Sequence, residues 1–317
     1  MNKGKILGIQ GWATACSLFL FSALSAQVSV VSVRPDSTDP SLLTIHGNHV
    51  AFTPPASAAK HKLVFMIEGT GSAARDLFSF DSSIALLGYS VISVDYPNNV
   101  ITTVCSNSPD SSCFNAFRQE IVFGSPVSSL VQVDSMNCLY NRFHLFLRYL
   151  VRNYPGQGWD EYLVNDEIQW GKILVGGHSQ GAGHAAYFGK KFKLNRVLIF
   201  SGPQDYLNSF FTPASWLYDS TATDVSRYYA FLHTRDPYDF NKQRMNCEAL
   251  MRIERSDSGV VGGPDTLMVR PGLTPSGTSR HILVTDISTD NPHGSTLAAG
   301  FRQVLEYMLE GGGSGAN

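Results

Sequence analysis

The sequence predicts an α/β protein: a single layered domain built on a mostly parallel central sheet with helices on both faces. Three observations carry this reading. Short apolar runs recur along the chain, and most are continuous rather than alternating, as in strands covered on both faces. Stretches with helical spacing of apolar residues fall between them. No internal repeat and no long linker divides the 317 residues, so the strand–helix alternation is expected to build one sheet.

The first element is an address. Lys3 and Lys5 precede an uncharged stretch from Ile6 to Ala26, densest at Leu18-Phe19-Leu20-Phe21, with small residues at Ala23, Ser25 and Ala26. A basic head, apolar middle and small-residue exit describe a secretory signal peptide cut between residues 23 and 27. An uncleaved anchor is the alternative, since the run is just long enough to span a bilayer. The folded domain is then expected over residues 27–310. The glycine-rich end, residues 311–317, is expected to be a flexible tail.

Within the domain, Val28–Val33 and Leu42–Val50 alternate and predict antiparallel strands at the start. Five continuous runs follow, each ending in turn residues: KLVFMI (62–67), YSVISV (89–94), KILVG (172–176), RVLIF (196–200) and YYAFL (228–232). HILV (281–284) is a sixth run near the end. Helical spacing is clearest over Asn137–Tyr154 and Ser295–Leu309, and Pro155-Gly156 stops the former.

Composition excludes several classes. With 24 Lys+Arg against 26 Asp+Glu, the chain lacks the basic excess of a nucleic-acid binder. Its 43% hydrophobic content excludes disorder. No stretch after residue 26 reaches about 18 uncharged apolar residues, so no further membrane span is expected. Export would leave four cysteines. Cys105 and Cys113 bracket a polar loop and form a natural staple; a Cys138–Cys247 pair would follow only by elimination. No C-x-x-C pair suggests zinc.

Gly177-His178-Ser179-Gln180-Gly181 is the sharpest motif. G-x-S-x-G is short, but here KILVG runs straight into it and GAGHAAYFG leaves it. Strand, tight turn and helix are the setting of a nucleophile elbow, in which a strained serine stands at the top of a sheet. A serine hydroxyl needs a base to take its proton and an acid to orient that base. In this architecture they follow in the order serine, acid, histidine. Asp236 leaves the YYAFL strand 57 residues after Ser179, and His293 lies another 57 residues on, between the last strand and last helix. Asp239 and Asp205 are rivals for the acid. His178 and His184 adjoin the elbow and are expected to pack there; His144 lies mid-helix and His281 in a strand.

The oxyanion of a tetrahedral intermediate needs two N–H donors. Gln180, after the nucleophile, is one candidate. Thr70 in Glu68-Gly69-Thr70-Gly71-Ser72 is the other, with Gly71 as alternative. No P-loop, H-E-x-x-H or complete dinucleotide motif is present, and no cofactor or metal is expected. His46-Gly47-Asn48-His49 reads as a polar turn rather than a metal pair.

Together these residues resemble the α/β-hydrolase superfamily of serine esterases, lipases and relatives. More closely, the chain is similar to a secreted bacterial α/β-hydrolase family first associated with type II secretion. FMIEGTG, YSVISVDYPN, the Cys105/Cys113 pair running into CFNAFRQE, NRFHLFLRYL, GGHSQGAGHAA and the final HG carry the resemblance over about residues 62–310. It implies the α/β-hydrolase fold, with Ser179 as nucleophile, Asp236 as acid and His293 as base. That family tends to show Pro-Gly-Thr-Gly where this chain has Glu68-Gly69-Thr70-Gly71.

The expected activity is hydrolysis of a carboxylic ester, small or polymeric, by a secreted or periplasmic monomer, through an acyl-enzyme and with activity rising through about pH 6–7 as the base becomes neutral. A peptidase, an acyltransferase or an inactive secreted binding module on the same fold are the alternatives. About 75 residues separate Pro97 from Lys172, more than one crossover needs. Phe114, Phe117 and Phe123 there, and Phe210 to Trp216 further on, are candidate walls of a cleft.

Overall fold

The computed structural model describes Met1 and residues 27–253, 265–275 and 280–312. Residues 2–26, where the signal peptide is expected, and 313–317 of the expected tail lie outside these residues. The sheet strands are β1 (Ser29–Val33), β2 (His49–Thr53), β3 (Leu63–Ile67), β4 (Ser90–Ser93) and β5 (Ile173–His178). They continue with β6 (Arg196–Phe200), β7 (Tyr228–His233), β8 (Thr266–Met268) and β9 (Ile282–Thr285). Among the described residues they form one nine-stranded sheet, ordered β1-β2-β4-β3-β5-β6-β7-β9-β8. From β4 to β8 every pairing is parallel, and β1 and β2 add antiparallel edges.

The helices longer than one turn are α1 (Phe78–Leu86), α2 (Cys113–Phe123), α3 (Leu139–Asn153), α4 (Gln180–Lys191), α5 (Phe240–Met251) and α6 (Arg302–Glu310). Alternate strand residues feed two separate cores. Phe65, Ile67, Val175, Val197, Ile199 and Leu232 face the layer of α2, α3, α4 and α5. Val64, Met66, Leu174, Leu198, Phe200 and Phe231 face α1 and α6. Both faces of the central strands are therefore dry, which is why their sequences run apolar without alternation.

The expected α/β architecture with a mostly parallel sheet is present, with four differences in detail. The second strand is His49–Thr53, not Leu42–Val50. Leu42 is buried but Leu43 is 82% exposed, and Asp39 accepts the Ser41 N–H in a local turn, so the segment before His49 turns locally and the ladder with β1 begins only at His49. The last helix does not run continuously from Ser295. Two 3₁₀ turns, Gly294–Leu297 and Ala299–Phe301, precede α6, because Ala298 adopts an extended conformation with ψ 140°. His281 sits just before β9 and pairs with Asp265. Cys105 and Cys113 are bonded, with Cα atoms 5.5 Å apart, but Cys138 and Cys247 are separate buried thiols. Cys138 donates to Ser135 O beside α3, and Cys247 on α5 donates to Gly202 O. Burial raises the titration range of both.

The strand order places a crevice. The chain passes from β3 to β4 on one side, then crosses to β5 on the other side of β3. Connections that depart in opposite directions leave an opening at the carboxyl ends of such strands. Residues 68–72, after β3, and Ser179, after β5, flank this opening.

Candidate active site

Ser179 occupies the turn between β5 and α4 with φ 58° and ψ −121°, a strained conformation for a residue with a side chain. Its N–H donates to Phe200 O at the end of β6, at 2.9 Å. The turn is tight enough to dictate its neighbours. A Cβ on Gly177 would lie 2.1 Å from Gly181 O, and one on Gly181 would lie 2.1 Å from Ile67 O. Strand, turn, helix and the end of β3 are in contact through backbone alone.

The loop after β3 lies directly against the serine. A Cβ on Gly69 would come within 3.0 Å of Ser179 Cβ and 3.4 Å of its Oγ. Asn98 holds this loop by donating its side-chain N–H groups to Gly69 O at 3.0 Å and Ser72 O at 2.8 Å. The Gly71 N–H donates to Asn98 O at 3.1 Å. Gly71 is thereby occupied, and Thr70 remains the better oxyanion donor of the two. Thr70 also donates its hydroxyl to Gln180 Oε1 at 2.7 Å, so the segments bearing both candidate donors are tied together. Gln180 Oε1 further accepts the N–H and hydroxyl of Thr102, at 2.9 and 2.8 Å.

Asp236 and His293 meet across the end of the sheet. His293 Nδ1 lies 2.8 Å from Asp236 Oδ2, and Asp236 Oδ1 accepts the Tyr238 N–H at 2.8 Å. Burial pushes the Asp236 carboxyl up, but the hydrogen bond and charge of His293, with the Tyr238 N–H, outweigh it and leave the group below its ordinary value. An ionised Asp236 accepts only, so His293 presents an Nδ1–H to it. The His293 carbonyl accepts from His178 Nε2 at 3.0 Å and from Ser201 Oγ at 2.7 Å. Its ring stands 4.7 Å from both the His178 and Tyr238 rings. Burial lowers His178 to about 4, with the nearby His293 contributing further, so His178 is a neutral donor. The hydrogen bond to Ser179 Oγ comes from Gln204 Nε2 at 3.4 Å. A direct serine–histidine bond is absent among the described residues; such bonds commonly tighten only with substrate in place.

The rival acids are engaged elsewhere. Asp239 is the N-cap of α5, accepting from the Asn241 and Lys242 N–H groups. Asp205 is fully buried and pairs with Arg118 through two bonds, 2.5 and 3.1 Å, while accepting from Trp216 Nε1 at 2.9 Å. Arg118 in turn donates to Gln180 O at 2.7 Å and so supports the elbow from beneath. His184 lies within this buried layer, 3.3 Å from Arg118. Burial, with the Arg118 charge, lowers it well below the ordinary histidine range.

Glu68 is withdrawn from solvent, 1% exposed, with no hydrogen bond to either carboxyl oxygen. Burial raises it well above the ordinary value, and the negative charges of Asp95, Asp81 and Asp76 add to this. It immediately precedes the Gly69–Gly71 loop. His49 begins β2 and accepts the Asp95 N–H, and His46 donates its N–H to Asp95. Phe114 and Phe117 are core residues with no exposure, and Phe123 packs among Tyr140, Tyr187 and Phe188. None of these three phenylalanines walls a cleft.

Asn98, Thr102, Arg118 and Gln204 are site-supporting residues that sequence reasoning did not single out. Asn98 belongs to YSVISVDYPN and Arg118 to CFNAFRQE, so both lay inside segments already marked, but without an assigned role. No protein-family model matches the chain, and no curated protein matches it.

Proposed function

We propose that the chain is a serine hydrolase that cleaves carboxylic esters through an acyl-enzyme, on the α/β-hydrolase fold, and that it acts after export. The observation that carries the reading is the strained Ser179 at the switch point of the sheet, with a carboxylate-bound histidine delivered to the same strand ends. His293 Nε2 takes the proton as Ser179 Oγ attacks the ester carbonyl. Asp236 keeps the ring in the tautomer that allows this and stabilises the imidazolium that forms. The Thr70 and Gln180 N–H groups receive the oxyanion, a role for which a single donor is worth about 3 kcal/mol. His293 then returns the proton to the departing alcohol, and water repeats the sequence on the acyl-enzyme.

The Cys105–Cys113 bond is in keeping with an exported protein. No described helix is long and apolar enough to cross a membrane.

The test is labelling by a fluorophosphonate together with hydrolysis of p-nitrophenyl esters from acetate to long-chain acyl groups. Turnover and labelling that both vanish in Ser179→Ala support the reading. Turnover that survives the substitution, or absence of both in the parent protein, refutes it.

A further inference from the structure

Three segments around the crevice carry no Asp, Glu, Lys or Arg: residues 97–109, 121–133 and 206–218. These segments also expose large apolar side chains. Phe211 is 84% exposed, Val127 52%, Phe210 45%, Val104 44% and Leu130 41%. Val104, Val127 and Leu130 line one groove of about 360 Å³ beside the disulfide, together with Asp110, whose carboxylate accepts the Ser112 N–H and hydroxyl. The loop bearing the two phenylalanines is joined to the same place, with Asn208 N–H donating to Ser106 O at 2.7 Å and Asn208 Nδ2 to Asn107 Oδ1 at 2.9 Å.

The rim is rooted in the site. Thr102, at the base of the disulfide loop, binds the Gln180 side chain. Gln204, which precedes the phenylalanine loop, reaches Ser179 Oγ. Phe211 is held outward in the left-handed region, φ 52° and ψ 38°. That conformation is costly for a bulky residue and persists only where the surroundings impose it.

We propose that this rim docks the protein onto the surface of a water-insoluble ester, a lipid aggregate, so that substrate is drawn from an apolar phase into the crevice. The inference rests on the hydrolase reading for its chemistry, but not for the adsorption itself. A face whose exposed apolar residues stand beside one groove carboxylate, Asp110, suits such a surface because little charge need be stripped of water on contact. Hydroxyls are interspersed with the apolar residues. Ser108 Oγ and Ser128 Oγ each accept a neighbouring backbone N–H, which leaves the O–H hydrogens for the carbonyl oxygens of an ester surface.

The test is co-flotation of the Ser179→Ala protein with a triolein emulsion stabilised by phosphatidylcholine, with and without the added double substitution Phe210→Ser, Phe211→Ser. In the Ser179 protein, emulsified triolein and dissolved p-nitrophenyl butyrate are compared. The double substitution is expected to weaken flotation by about tenfold or more, and to lower the ratio of triolein to butyrate turnover by about as much. Failure of the parent to float, or an unchanged ratio in the variant, overturns the proposal. Light scattering that shows a dimer dissociated by the double substitution also overturns it, making the patch a contact between copies. Flotation lost in the variant while no ester is hydrolysed by the parent upholds the docking and defeats the hydrolase reading instead.

Discussion

Replacing Asp236 by asparagine separates the electrostatic role of the carboxylate from its shape. Asp236 uses one oxygen for the Tyr238 N–H and the other for His293 Nδ1, both at 2.8 Å. An asparagine retains a single oxygen. The Tyr238 N–H is a fixed backbone donor and can be met only by that oxygen, so the amide NH₂ must face the imidazole. His293 is then obliged to accept at Nδ1 and to carry its proton on Nε2, the atom required as a base. Loss of the correct tautomer in such a triad costs about 10⁴ in kcat, or about 5 kcal/mol of barrier. The fold should be little affected, because both hydrogen bonds are retained. The assay is kcat on a p-nitrophenyl ester, with thermal unfolding measured in parallel. A loss below about tenfold in a folded Asp236→Asn protein would mean that another group orients the base or that His293 is not the base.

Three further outcomes follow from the same geometry. Ser179→Gly should abolish ester turnover yet stabilise the protein by about 1 kcal/mol in urea unfolding, since glycine accepts a positive φ without strain. Asp205→Ala leaves the buried Arg118 guanidinium without its carboxylate, and unfolding should cost about 3–5 kcal/mol less than in the parent; replacing Arg118 by methionine in that background should recover part of the loss. Asp81, fully buried, is raised to about 8 by desolvation, against a hydrogen bond from Ser93 that lowers it. The folded protein then holds a proton that the unfolded chain has released, so stability should fall as pH rises from about 4 towards 8, by at most about 1.4 kcal/mol per unit. Asp81→Asn should flatten that slope in unfolding experiments run across the range.

Strands were legible in the sequence where burial on two faces removes alternation. RVLIF matches β6 residue for residue, and KILVG, YYAFL and HILV each fall within a residue or two of β5, β7 and β9. The strand β8 was not legible: it has three residues, lies at the edge and is half exposed. The elbow was legible because it concentrates its constraint in five consecutive residues. Asp236 and His293 were placed by chain order, and the structure brings them into hydrogen-bond contact. Asn98, Thr102 and Gln204 left no local trace, because their partners, Gly69, Gln180 and Ser179, are 29, 78 and 25 residues away. A polar side chain on a loop has no periodicity to betray its partner. The two buried thiols illustrate the limit of counting, since an even number of cysteines says nothing about separation in space.

The grip of Thr102 on Gln180 divides the inserted segment into two parts with different freedoms. Upstream of Cys105 the backbone is committed to the elbow, and the disulfide returns the chain to α2 within eight residues. Between those two anchors, residues 106–112 form a closed handle whose length and composition bear on no hydrogen bond at Ser179 or Gln180. Such an arrangement lets the outer loop be lengthened, shortened or exchanged while the chemical centre keeps its register. Changes within 108–112 should therefore leave the reacting groups in place, whereas Ser106 and Asn107 are also tied to Asn208 in the phenylalanine loop.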